Sequence, residues 1–184
     1  KAIDHIEGTI PYILAAGNHD YDHTPGRLTH MNKYFTVEQQ KKNQDFGGVF
    51  EDGKLENHYQ YLTINGQKWI VLSLEMGTRQ AVIKWANKVL ADHREHLAII
   101  LTHAYLVYGG KRYDHRRGHE RATPYNFYGE GADGEILWQT LQFFGQNGID
   151  GREKHIYCIG KCCVIDFGSA LVARGQAAKQ VWKC

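Results

Sequence analysis

Two short stretches of the chain combine residue types able to do chemistry with positions that would expose them. The first is Gly17-Asn18-His19-Asp20, directly after the apolar run Tyr12–Ala16. An asparagine offers a neutral carbonyl oxygen to a metal ion, and a histidine can carry a proton near neutral pH. An aspartate one position on can accept the imidazole N–H and fix the ring, a supporting role carboxylates often play. A glycine in front lets the backbone turn sharply. The second stretch is Thr102-His103, which closes the apolar run Leu97–Leu101. Taken singly, each has a plainer reading: a Gly/Asn/Asp turn with an incidental histidine, and a histidine satisfied at the end of a strand. Two histidines at equivalent strand ends, one of them inside GNHD, shift that balance toward the functional reading.

Both stretches need strands to carry them. Tyr12–Ala16 ends at Gly17 and is expected to form a short buried strand. Leu97–Leu101 is continuously apolar, which suggests burial on both faces. In α/β folds the carboxyl ends of such strands open onto a crevice where ligands collect. Between them, His58–Ile64 and Gln67–Glu75 are β-prone runs joined by Asn65-Gly66. That pair suits a type I′ hairpin turn, in which both residues take positive φ. Phe46–Phe50 reads as a further short strand, and a short helix is expected around Arg27–Tyr34. Thr78 is placed to cap a helix reaching about Asp92, with Val82, Trp85, Ala86 and Val89 on one stripe. A second helix begins at Asp133, with Leu137, Leu141 and Phe144 on one face. This alternation predicts an α/β domain.

Composition bounds the class. With 184 residues, 42% hydrophobic and 23% charged, the chain suffices for one domain with its own core and is unlike a disordered chain. No run approaches the ~18 apolar residues of a membrane span. Lys plus Arg number 22 against 20 Asp plus Glu, and the resulting +2 gives nucleic acid no strong electrostatic signal. The 11 histidines invite a search for metal or acid–base chemistry. Cys158, Cys162, Cys163 and Cys184 all lie near the C-terminal end, and C-x3-C-C fits no common zinc spacing. From about Gly148 the helical periodicity fades. Residues 1–147 are therefore read as the domain, and 148–184 as a divergent Cys-containing tail of open role. The opening KAIDHIEG reads as the last turns of a helix stopped at Gly8, so the chain is expected to begin inside its domain.

At GNHD the sequence resembles the calcineurin-like metallophosphoesterase family. The family pattern runs D-x-H, GD-x-x-D, GNH[DE], a strand-end His and GH-x-H, around two divalent metals. PYILAAGNHD matches the third element and AIILTHAYL the fourth, and the intervening stretch also looks like the middle of such enzymes. The resemblance covers about residues 1–145. It implies a sandwich of β-sheets flanked by helices that hydrolyses phosphomonoesters or phosphodiesters with two divalent ions, Mn, Fe or Zn. It further implies that Asn18 and His103 bind one metal, while His19 protonates the leaving group and Asp20 orients it. Two such ions, roughly 3.5–4 Å apart, activate a water and clamp the phosphoryl oxygens, and a nearby histidine can protonate the departing oxygen.

Neither D-x-H nor GD-x-x-D precedes Gly17, and no GH-x-H follows His103. Gly118-His119-Glu120-Arg121 lies in a charged loop without an apolar strand ahead of it. The expectation is a domain truncated at its N-terminus, with the activity of this chain alone left open. A different function class comes from the loop 104–128. There Lys111, Arg112, Arg116, Arg117 and Arg121 interleave with Tyr105, Tyr108, Tyr113, Tyr125, Phe127 and Tyr128. Such a loop can grip phosphate or stack on rings, as in a non-catalytic module holding a sugar, nucleotide or protein partner. Its plainer reading is a solvated loop with tyrosines packed beneath it. Trp69, Trp85 and Trp138 fit core or interface packing and are assigned no chemistry.

Overall fold

The computed structural model describes residues 11–22, 29–106, 111–114, 116, 131–132, 134–146, 156–162, 168–174 and 177–181. Two short helices, α1 (Met31–Tyr34) and α2 (Val37–Gln40), precede strands β1 (Phe46–Val49), β2 (His58–Ile64) and β3 (Gln67–Leu74). Helix α3 (Gln80–Asp92) then leads to β4 (Leu97–Leu106), and α4 (Gly134–Gln146) leads to β5 (Ile156–Cys162). Strands β6 (Gly168–Arg174) and β7 (Ala177–Val181) complete one seven-stranded sheet in the order β1 to β7. The central strands β3, β4 and β5 are parallel, each joined to the next through a helix, and the outer strands are antiparallel. The chain is therefore α/β with a mixed sheet, and segment 148–184 contributes three of its strands.

Local chemistry explains most of these elements. Asn65 and Gly66 take φ of 51° and 77°, and Ile64 stands opposite Gln67, as a two-residue turn between β2 and β3 requires. On α3 the buried stripe includes Ile83 and Leu90 as well as Val82, Ala86 and Val89, with Trp85 half-buried. These side chains close over Ile70, Leu72 and Leu74 of β3 and Ala98 and Ile100 of β4, and Leu137 and Leu141 of α4 join the same core. Each fully buried aliphatic side chain contributes about 1.5–3 kcal/mol relative to exposure. A second apolar cluster gathers Ala16, Tyr21, Met31, Val37, Leu55, Met76 and Ala104, and it holds the segment that carries GNHD.

Four expectations are corrected. Residues 12–16 form no strand: among the described residues they pair with none, and the Tyr12 carbonyl is met instead by the side chain of Gln60 on β2, at 2.9 Å. Their apolar character serves packing, with Leu14 and Ala16 in the second cluster. Thr78 does not cap α3. It is buried, its hydroxyl donates to the Glu75 carbonyl at 2.9 Å, and Arg79 takes the cap position. Of the helix expected around Arg27–Tyr34, the described residues 29–34 are helical only over Met31–Tyr34, followed by a second turn begun by a Thr36/Gln39 capping box, and Arg27 and Leu28 lie outside the described residues. Finally, β4 alternates rather than being buried on both faces. Ala98 and Ile100 are buried, Leu97, Ile99 and Leu101 only half so, and the strand runs past His103 to Leu106.

Candidate functional site

His103 lies inside β4, at a break in its regularity. Pairing with β3 proceeds in step as far as Leu74 opposite Thr102. On the other side Thr102 stands opposite Gly160 and Ala104 opposite Lys161, so His103 is an extra residue without a counterpart on β5. A bulged residue is one whose side chain the ladder re-aims, and such bulges cluster beside active sites.

The imidazole meets the GNHD segment there. Asn18–Asp20 form one turn of 3₁₀ helix, closed by the Asp20 N–H on the Gly17 carbonyl at 3.0 Å. The Asp20 carboxylate accepts the Gly17 N–H at 2.7 Å, which locks the turn from its open end. Gly17 has an ordinary φ of −93°, so it is not there for backbone freedom. It is there for space: a Cβ at that position would stand 3.3 Å from Cε1 and 3.4 Å from Nδ1 of His103. The close approach lets Nε2 of His103 donate to Oδ1 of Asn18 at 2.8 Å, across 85 residues of sequence.

The structure thus brings Asn18 and His103 together. It places His19 at the exposed surface of the same turn, and Asp20, also exposed, against the Gly17 amide. Asn18 and His103 suit a divalent ion by chemistry and by spacing. Two ligands at roughly 2.0–2.2 Å from one ion and at right angles stand about 3 Å apart, close to the separation seen. Nε2 would have to release its proton to ligate. Among the described residues no group of three or more His, Cys, Asp or Glu side chains gathers around a common point, so further ligands would have to come from elsewhere.

A buried polar network next to the pair escaped the sequence reading. Glu75, one residue beyond β3 and 1% exposed, accepts from the Arg79 backbone and guanidinium on one oxygen. Its other oxygen accepts from Asn57 and Arg79, both at 3.0 Å. Asn57 answers by accepting the Glu75 N–H at 2.9 Å, and the Glu75 carbonyl takes the hydroxyls of Thr78 and Thr102. The β3–β4 register ends at Leu74 opposite Thr102, and the Thr102 hydroxyl on the Glu75 carbonyl ties this knot to β4 one residue before the bulge. Arg79 also reaches Glu51 at 3.2 Å. Hydrogen bonding to Glu75, then to Glu51, pushes the guanidinium pKa up, and the same guanidinium holds the Glu51 carboxyl below its usual range. The available signal was an acidic residue just past a strand with an arginine four positions on.

The basic-aromatic loop is partly committed to its own fold. Arg112 donates to Glu135 at 2.6 Å and lies 4.9 Å over the Trp138 ring, while Arg116 holds Asp114 at 2.8 Å. Tyr105 and Tyr113 are buried, and Lys111 is exposed. Tyr108, His115, Arg117, His119, Arg121, Tyr125, Phe127 and Tyr128 lie outside the described residues, as do Cys163 and Cys184. Among the described residues no helix is long and apolar enough to cross a membrane.

No protein-family model matches the chain, and no solved structure matches it. A stretch of 103 residues, 56% of this chain, is 35% identical to the Uncharacterized protein YvnB of Bacillus subtilis (strain 168). The chain spans 8% of the length of that curated relative.

Proposed function

We propose that this chain is part of a calcineurin-like metallophosphoesterase, hydrolysing phosphomonoesters or phosphodiesters with divalent metal ions. The observation that carries the reading is the 2.8 Å contact between Asn18 and His103, two metal-ligand types converging from GNHD and from a bulged strand. When bound, the ions supply an activated water and positive charge against the phosphoryl oxygens. Asn18 and His103 would hold one ion through the amide oxygen and Nε2. His19, exposed on the same turn, delivers a proton to the leaving oxygen. Asp20 acts through the backbone, keeping the turn closed on Gly17. The sandwich fold of that family belongs to the same proposal.

The test is hydrolysis of p-nitrophenyl and bis-p-nitrophenyl phosphate with added Mn²⁺. Asn18→Ala and His103→Ala should each abolish metal-dependent turnover. His19→Ala should lower kcat by about 10²–10⁴-fold while metal affinity holds. Turnover that survives both ligand changes would remove the assignment. The binding-module reading has less support, because Arg112 and Arg116 already have intramolecular partners.

A further inference from the structure

Tyr21 follows GNHD directly, and nothing in the chemistry of a tyrosine at that position marks it as functional. In the fold it is 3% exposed, and its phenol oxygen accepts the Met76 N–H at 3.2 Å, 55 residues away. Met76 follows Glu75 at the carboxyl end of β3, so the bond ties the turn to the strand end that the Glu75 network holds rigid. The Tyr21 ring packs in one cluster with Ala16, Met76 and Ala104. Ala16 and Tyr21 bracket the Gly17–Asp20 turn, and Ala104 is the immediate neighbour of His103. The Tyr21 backbone also bridges to Thr29, and the Asp20 carbonyl accepts the His30 N–H at 2.8 Å. The turn is therefore clamped just beyond its exit, while its entrance, residues 12–16, pairs with no strand among the described residues.

We propose that Tyr21 is a positioning residue for the Asn18–His103 pair. Its phenol anchors the turn to β3 and so sets how closely the Asn18 amide approaches the imidazole. This deepens the metal reading above, and rests on it for the metal-affinity readout only. Groups that orient metal ligands from behind typically change affinity 10–100-fold when lost. A single hydrogen bond lies at the low end of that range.

The experiment compares the wild-type chain with Tyr21→Phe, which keeps the ring in its buried bed and removes only the oxygen. Amide exchange would be followed at Met76, at Gly17 and at Ile100, together with the Kd for Mn²⁺. The expected result is lost protection at Met76, about tenfold faster exchange at Gly17 and about tenfold weaker Mn²⁺ binding, with Ile100 and the thermal midpoint nearly unchanged. Unchanged exchange at Met76 or at Gly17 would overturn the proposal, as would an unchanged Mn²⁺ affinity in a chain that binds the ion. Should the wild-type chain bind Mn²⁺ no better than Asn18→Ala, the metal reading falls, and Gly17 exchange alone decides the role of Tyr21.

Discussion

His58 should make this fold acid-labile over a defined window. Its ring is fully buried at the start of β2, stacked on Phe46 at 6.2 Å, with Nδ1 donating to the Leu55 carbonyl at 2.7 Å. Nε2 meets no partner, so a second ring proton would be buried unsatisfied. Desolvation lowers the pKa from 6.5 to about 4, against smaller opposing effects of the Leu55 hydrogen bond and the Glu56 charge. At ~1.36 kcal/mol per pKa unit, that difference corresponds to about 3 kcal/mol. The sign follows from which state takes the proton. Above about pH 6.5 the ring is neutral in both states and the contribution is fully present. Between 6.5 and 4 the unfolded chain binds a proton that the folded chain refuses, so stability falls with pH; below about 4 the loss saturates. Urea unfolding at several pH values reads this as a slope. His96, whose pKa is also lowered by burial, adds a slope of the same sign, so the comparison must be with a His58→Phe chain. Phenylalanine retains the stack on Phe46, costs about 1–3 kcal/mol at all pH values for the orphaned Leu55 carbonyl, and should flatten the slope between pH 6.5 and 4. Parallel pH profiles for the two proteins would refute the reasoning.

Gly17→Val should weaken the Asn18–His103 contact, because the first added carbon already stands 3.3 Å from the imidazole; loss of metal affinity with a stability change within about 1 kcal/mol is the expected outcome, read by titration and thermal melting. Glu75→Ala should cost about 2–3 kcal/mol in urea unfolding, somewhat less than the roughly 3–5 of a fully buried pair, since Arg79 reaches solvent. Leu72→Ala, in the core between β3 and α3, should cost about 2–5 kcal/mol by the same assay. Replacing Arg112 and Arg116 together by alanine should lower stability and leave nucleotide or sugar binding unchanged, because both are held by Glu135, Trp138 and Asp114.

How much of this was legible in the sequence depended on whether the signal was local. The β2–β3 turn was legible because Asn-Gly states a backbone conformation directly, and α3 because a helical stripe needs only its own spacing. Residues 12–16 were misread because an apolar run reports burial, and burial is satisfied as well by irregular chain tied down through Gln60. The bulge at His103 could not be read, since it arises from the register between β4 and β5 and not from either strand. The placement of Asn18 beside His103 was anticipated only through the family resemblance; neither spacing nor periodicity connects positions 85 apart. The Glu75–Asn57–Arg79 knot and the Tyr21–Met76 bond were missed for the same reason, as each joins residues whose own neighbourhoods look ordinary.

Metal content per chain, measured by elemental mass spectrometry after dialysis against low-micromolar Mn²⁺ and Zn²⁺, tests the central claim most directly. The wild-type chain should retain bound metal, and Asn18→Ala and His103→Ala should each lose about one ion equivalent while keeping the wild-type melting profile. Equal metal content in all three proteins would contradict the account.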